Sequence, residues 1–475
     1  MLSPQHIAAL EALVGVEGLV RDAVDLAPYE QAARYGGGKA ALVVRPADTA
    51  QVSAVVGFCV REGLSFIPQG ANSGLVLGST PDKTGGQIVL SLDRLRAPFE
   101  IDAADRTARV GAGVRLSALN AALEPHGLFL PIDLGSDPMI GGMAATNTGG
   151  ARFLRYGDMR RHVLGLEMVL ADEAGTVLRL GEGLRKDNAA LDLRQVVVGS
   201  CGALGVITEV TVEVKTRPAH SAAALLIPRD EDAVLDLLLA FEKAAGEYLT
   251  AFEGMSRAAM SHALKHVTSL RNPFSGGGIP AYAVLVELTS TGAAALDEVL
   301  ERVLTDLFER EDAPLADAVL APPERSWALR HSLSEGLRAS GPVTGFDLSF
   351  RRSRVMAFRR EAIAALAADF PDYEVCDFGH IGDGGVHFNL LRAEGPASPE
   401  RAAALNDAVL DLAVRKHGGS FSGEHGVGRA NQAAYDAYTP DDLKRLSGAV
   451  VDLFSKAPAG AARSALSGPD LSELP

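Results

Sequence analysis

An α+β fold spread over more than one domain is what this sequence predicts, and three observations carry that reading. The chain has 475 residues, more than one hydrophobic core usually serves, and 47% of them are hydrophobic, so apolar material is ample. From Ala40 to Val214 short β-rich runs alternate with Gly and Pro turns. Beyond Pro218 long Ala/Leu-rich helices alternate with strands, and no internal repeat is visible.

Residues 3–14 form a short amphipathic helix, because Ser3 is a good N-cap and Pro4 suits a first turn. ALVVRP (41–46), SFIPQG (65–70), QIVLSL (87–92) and TARVGAG (107–113) read as strands, with helices at 49–62 and 116–126. LGLEMVLA (164–171), TVLRL (176–180) and GVITEVTVEV (205–214) continue the strand-rich part up to KTRPAH at 215–220. Helices are then expected at 231–246, 256–266, 293–311 and 354–368, with strands at YAVLVEL (282–288) and SGPVTGFDLSF (340–350). The last stretch, 457–475, is rich in small residues and Pro and reads as a loose tail. The chain divides accordingly into an N-terminal helical segment (1–36), two domains (37–217 and 218–415) and a C-terminal segment (416–475).

A formal net charge of −15 excludes nucleic acid as a partner, since phosphate binding needs basic stripes. An anionic substrate would need a locally cationic site. Cys59, Cys201 and Cys376 are odd in number and lack CxxC spacing, which fits a reducing compartment. The opening MLSPQHIAALEAL lacks the basic-then-apolar order of a signal peptide, and no run of about 18 apolar residues occurs. A cytoplasmic protein is expected, with peripheral membrane contact left open.

Three Gly-rich strings stand out: PQGANSGLVLGSTP (68–81), PIDLGSDPMIGGMAATNTGG (131–150) and VGSCGALGVITE (198–209). Backbone without Cβ approaches a diphosphate closely, and successive N–H groups form anion-binding nests. One ligand shared by the three strings is the functional reading; a run of tight turns accounts for any one alone. GAGVRL at 111–116 has Leu116 where a Rossmann fingerprint needs a small residue, and no GKS or GKT occurs, which disfavours NAD and ATP.

The second half carries GHIGDGGVHFNLL (379–391) and GGSFSGEHGVG (418–428). His380 and His387 flank a Gly-rich turn that can fold both rings toward one point, and Glu424 with His425 sits on the second loop. Two His and one carboxylate with open positions is the donor set of a catalytic metal; hydrogen-bonded loop histidines are the plainer reading. His262 and His266, four apart on an expected helix, read as an exposed pair, and His162, His331 and His417 as ordinary polar positions. In WALRHSLSEGL (327–337) Arg330 and Ser334 share a helix face, and a guanidinium matches a carboxylate in a bidentate fork.

The order and spacing of these strings, from about Tyr35 to about Arg429, resemble the vanillyl-alcohol oxidase and p-cresol methylhydroxylase superfamily. Within it they resemble the D-2-hydroxyacid dehydrogenase branch of D-2-hydroxyglutarate dehydrogenase, D-lactate dehydrogenase and the glycolate oxidase large subunit. The resemblance implies a two-subdomain FAD-binding domain with an α+β substrate cap domain, and a C-terminal segment that returns to the FAD and metal site. It implies FAD contacts at Pro68, Gly70, Ala71, Asn72, Ser73 and Gly74, at Gly141, Gly142, Thr146, Asn147 and Gly150, and at Gly199, Ser200, Gly205 and Ile207. Ala71 and Asn72 offer no tethering nucleophile and Cys201 packs beside the pocket, so the FAD is expected to be non-covalent. The resemblance further implies a divalent metal, usually zinc, on His380, His387 and Glu424, with Asn389 lining the pocket and Arg330 taking the substrate carboxylate.

Two features depart from that pattern. Gly345 stands where 2-hydroxyglutarate enzymes carry a Lys before the aromatic-Asp-Leu-Ser string, and the C-terminal NPGK is absent. The implied reaction is oxidation of a small D-2-hydroxy acid, with His425 as base and electrons passing to an electron-transfer flavoprotein, a quinone or a cytochrome. A homodimer is allowed. The rival readings are an oxidase using O2, a flavin-free His/His/Glu metallohydrolase, and a non-catalytic flavoprotein subunit.

Overall fold

Local chemistry starts the chain as expected. Ser3 Oγ accepts from the His6 N–H at 3.2 Å and caps α1 (Pro4–Val14), whose first turn Pro4 fills without needing an N–H. The computed structural model describes residues 2–34, 36–274, 278–392 and 394–455, so the tail expected at 457–475 lies outside the described residues, as does Tyr35.

In chain order the elements used below are β1 (Leu19–Val20), β2 (Ala40–Val44), α2 (Thr49–Arg61), β3 (Phe66–Gln69), β4 (Gln87–Ser91), β5 (Phe99–Asp102), β6 (Thr107–Gly111), α3 (Leu116–Leu123), α4 (Ile140–Thr146), β7 (Val163–Val169), β8 (Val177–Leu180) and β9 (Val206–Glu213). There follow β10 (His220–Pro228), α5 (Ala233–Ala245), β11 (Leu249–Ser256), α6 (Arg257–His266), β12 (Tyr282–Ser290), α7 (Leu296–Phe308), β13 (Leu315–Leu320), α8 (Pro323–Ser340), β14 (Val343–Ser349), α9 (Val355–Asp369), β15 (Tyr373–Val375), β16 (Phe378–Gly379), β17 (Gly385–Arg392) and α10 (Asp441–Ser455). The helices and strands read from sequence recur with ends shifted by a few residues. The fold is α+β.

The chain divides into two units, one of Met1–Gly149, Asp158–Arg217 and Glu424–Pro475, the other of Gly150–Gly157 and Pro218–Gly423. In the first unit β1-β2-β4-β3 form a sheet in which β2, β4 and β3 run parallel. Its strands read as near-continuous apolar runs because both faces are covered. Leu42, Val44, Phe66, Ile88 and Leu90 pack with Val52, Val55 and Val56 of α2, while Val43, Ile67 and Val89 meet Leu26 on the other side. A second, antiparallel sheet, β5-β6-β9-β7-β8, packs its core against α3 and α4 through Leu119, Leu123, Ile140 and Met143.

The second unit is an eight-stranded antiparallel sheet, β13-β10-β12-β11-β16-β17-β14, with β15 paired to β17. Leu329, Leu333 and Leu337, each four apart, form the apolar stripe of α8, which packs on Ala259, Met260 and Ala263 of α6 and on Met255 and Leu285 of the sheet. His262 and His266 are half-buried, not the exposed pair expected, because α6 is clamped under α8. α4 also departs from expectation: the middle of the second Gly-rich string is helix, capped by Asn147 in the left-handed conformation.

Candidate active site

Four of the five non-glycine residues with positive φ among the described residues fall in the three Gly-rich strings: Asn72 (53°), Leu77 (64°), Asn147 (51°) and Cys201 (52°). Each costs backbone strain that surrounding structure must hold, and such positions cluster at ligand sites. The holding is visible. Asn72 Nδ2 donates to Gln31 O at 2.8 Å, and its Oδ1 accepts from Ser79 Oγ at 2.9 Å. Asn147 Nδ2 donates to Asp158 at 2.7 Å, and its Oδ1 accepts from the Arg160 N–H at 2.8 Å.

The strings are also stitched to one another inside the first unit. Gly199 N donates to Ala144 O at 3.0 Å and Cys201 N to Ala145 O at 2.7 Å, which ties the third string to α4. A Cβ on Gly70 would stand 3.6 Å from Met139 Cβ, so the first string abuts the second, while at Gly74 and Gly142 a Cβ would meet nothing within 4 Å. Backbone is thus held open where a diphosphate could approach, and the residues present fit FAD. Thr146 is exposed beside the cradle, with its Oγ1 donating to Gly142 O at 3.0 Å, whereas Ile207 lies in the core of β9 and Pro68 in β3. Gly150 opens the short segment that belongs to the second unit.

The loop bearing Glu424 and His425 lies on this cradle. Ala430 N donates to Val76 O at 3.1 Å, Arg429 Nη2 donates to Thr80 O at 2.6 Å, and a Cβ on Gly426 would stand 3.4 Å from Cys201 Sγ. His425 Nε2 is 3.7 Å from Glu424 Oε1. Burial pushes the Cys201 thiol up, which makes it a poor nucleophile.

In the second unit the turn between β16 and β17 brings His380 and His387 together, their ring centroids 5.2 Å apart and nearly perpendicular. His387 is the cross-strand partner of Asp347 on β14, with Nδ1 3.7 Å from Oδ1. Asn389, two residues on, sits on the same face and donates from Nδ2 to His387 O at 3.1 Å. His380 Nδ1 donates to Oε1 of Glu253 on β11 at 2.7 Å, and Arg330 Nε and Nη2 both reach Glu253 Oε2 at 2.8 Å. The Arg330 guanidinium also lies 5.0 Å from the Phe378 ring centre. Glu253 is 1% exposed. Burial alone would raise its carboxyl, but His380 and Arg330 outweigh that and hold it down to about 2.

The FAD binding domain family matches residues 40–181, and the C-terminal domain of FAD linked oxidases matches 217–449. A rice (Oryza sativa subsp. japonica) protein named probable mitochondrial D-2-hydroxyglutarate dehydrogenase is 33% identical over 436 residues, 90% of this chain and 76% of its own. A D-2-hydroxyglutarate dehydrogenase of Xanthomonas citri pv. viticola is 34% identical over 396 residues, 81% and 80% of the two chains. The chain belongs to the FAD-dependent D-2-hydroxyacid dehydrogenase family. Substrate-bound p-cresol methylhydroxylase, at 17% identity, superposes with a TM-score of 0.74 over 97% of each chain, which shows the shared fold. As a family member the chain is an FAD-binding oxidoreductase, which removes the flavin-free metallohydrolase reading. No helix among the described residues is long and apolar enough to cross a membrane.

For this dehydrogenase, sequence reasoning missed Glu253. Its signal was present: a carboxylate inside LTAFEGMS, a strand with every other residue buried, must have charged partners to be tolerated there. Arg330 is buried as a site residue should be, but Ser334 one turn on is exposed, and the Nε/Nη2 edge of Arg330 is taken by Glu253.

Proposed function

We propose that this dehydrogenase oxidises a D-2-hydroxy acid to the 2-oxo acid, with a divalent metal, zinc by its donor set, on His380, His387 and Glu424. The observation that carries the reading is the grip of Glu253 on His380. A carboxylate that accepts the Nδ1–H fixes the tautomer and orientation of the ring, the arrangement found around metal-bound imidazoles. Glu424 directly follows Gly423, whose N–H donates at 3.0 Å to the carbonyl of Asp347, the cross-strand neighbour of His387. Two imidazoles and a carboxylate with open positions suit a catalytic ion.

Bound FAD supplies the two-electron acceptor for the hydrogen that leaves Cα as hydride. The ion would supply Lewis acidity at the substrate hydroxyl and carboxylate oxygens. His425, on the loop that packs on the FAD cradle, takes the hydroxyl proton at a ring nitrogen, a role worth roughly 10²- to 10⁴-fold in rate. Arg330 offers the substrate carboxylate its Nη1 side, with Asn389 alongside. The flavin is not tethered, because Ala71 and Asn72 carry no nucleophile and the Cys201 thiol is held protonated. Electrons leave to an electron-transfer flavoprotein, a quinone or a cytochrome. The free Cys59, Cys201 and Cys376 suit a reducing compartment such as the cytoplasm.

Metal analysis by mass spectrometry on four alanine variants tests the assignment. His380→Ala, His387→Ala and Glu424→Ala should lose metal and substrate-driven flavin reduction while keeping FAD; His425→Ala should keep both metal and FAD and lose the chemical step. Full metal and activity in the three ligand variants would overturn the site.

A further inference from the structure

A second cluster of metal-binding side chains lies in the same unit, under α8. Its position follows from a close helix crossing. A Cβ on Gly336 of α8 would lie 2.6 Å from the Ala263 N and 2.8 Å from the His262 carbonyl carbon, so only glycine lets α8 and α6 approach this far. One turn beyond Gly336, Ser340 then meets His262, with Oγ 2.8 Å from Nδ1. Ser340 Oγ is also 2.8 Å from Gly336 O, to which it donates. Its single proton is committed there, so the hydrogen between Ser340 and His262 belongs to the ring: Nδ1–H donates to Oγ.

That leaves Nε2 of a neutral His262 as a lone pair, 2.9 Å from Glu374 Oε2. Two acceptors at this distance require something positive between or upon them, a ring proton or a metal ion. A third donor beside the pair suits an ion. Glu374 on β15 and Cys376 two residues later project to the same side of an extended segment, whose course is fixed where Cys376 N donates to Asn389 O at 2.8 Å. Cys376 Sγ, a ring nitrogen of His262 and a carboxylate oxygen of Glu374 all lie within 4.8 Å of one another. The sulfur is fully buried, while Glu374 is exposed.

We propose that His262, Glu374 and Cys376 form a second divalent-metal site of the zinc class, separate from the His380/His387 set. One nitrogen, one oxygen and one sulfur donor with an open fourth position match zinc's preferences and exclude magnesium and calcium, which take oxygen ligands. Ser340 is the outer partner that orients the imidazole, as carboxylates or carbonyls do in other metal sites. Zinc takes a cysteine sulfur as the thiolate. Binding therefore releases the thiol proton, together with any proton held between His262 and Glu374, and forms a zinc–sulfur bond.

The sulfur makes the site separable from the active site, whose proposed donors contain none. The full-length flavoprotein, stripped by a chelator and dialysed, is titrated with Zn²⁺ and followed by mass spectrometry and by zinc-edge X-ray absorption. The wild type and His387→Ala should both show a sulfur neighbour near about 2.3 Å. Cys376→Ser and His262→Gln should lose it, and Ser340→Ala should weaken binding roughly 10- to 100-fold. Retained FAD and circular dichroism establish that each variant folds. A folded wild type without zinc–sulfur scattering, or scattering that survives in Cys376→Ser, overturns the proposal. Loss of active-site metal chemistry in His387→Ala would not touch it.

Discussion

Replacing Glu253 by glutamine removes one charge and adds one N–H₂ at a position shut off from the surface. Glu253 is 1% exposed, and its two oxygens face His380 Nδ1 at 2.7 Å and Arg330 Nε and Nη2 at 2.8 Å. A glutamine must choose. With its oxygen toward Arg330, its N–H₂ points at His380 and forces the Nδ1 lone pair inward, so the proton moves to Nε2 and the ring can no longer offer that nitrogen to a cation. With its oxygen toward His380, two donors face each other and the guanidinium is left buried without a counter-charge. Breaking a buried pair from one side costs about 3 to 5 kcal/mol. The cation–π contact of Arg330 with Phe378 is made in both proteins and offsets none of this, so about 3 to 5 kcal/mol is expected.

Metal affinity should fall roughly 10- to 100-fold, as for other outer partners of ligating histidines. Trp327, the chain's one tryptophan, is buried in the second unit with Nε1 donating to Glu287 at 2.9 Å, so its fluorescence in urea reports this unit alone. Flavin fluorescence reports the first. Glu253→Gln should unfold at lower urea by the tryptophan signal and bind FAD normally. Wild-type tryptophan midpoints together with wild-type zinc affinity would refute the reasoning.

Acid precipitation of the holoenzyme should release all yellow colour into the supernatant, and colour kept in the pellet would mean a covalent flavin. Gly345 lies opposite Asn389 in the β14–β17 ladder, and Gly345→Lys should raise kcat/KM for D-2-hydroxyglutarate relative to D-lactate by roughly 10- to 100-fold, the worth of a charged hydrogen bond. An unchanged ratio would remove this position from the substrate pocket. In the four-variant metal assay, His425→Ala should retain full metal content, and loss of metal there would make it a ligand.

Much of the fold was legible because the chain's strands advertise their surroundings. ALVV and IVL read as continuous apolar runs, and the parallel sheet they form is indeed covered on both faces. The glycine strings were legible as a backbone cradle, but not the helix α4 inside the second, since two glycines in seven residues depress helix propensity and only packing of Ile140 and Met143 into the core restores it. His380 and His387 could be paired from sequence because a short turn joins them. Glu253 could not: it is 127 residues from His380 and 77 from Arg330, and only the pairing of β11 with β16 and the packing of α8 on the sheet make them neighbours. The same holds for Ser340 and His262, joined by a helix crossing 78 residues apart in sequence.

Anaerobic mixing of the purified flavoprotein with a D-2-hydroxy acid, followed at the flavin absorption band, tests the central claim most directly. The D enantiomer should bleach the oxidised flavin and yield one 2-oxo acid per FAD, the L enantiomer should not, and chelation of the metal should abolish the bleaching while the FAD stays bound. A flavin that remains oxidised with every D-2-hydroxy acid offered, or that bleaches equally well after the metal is removed, would contradict the account.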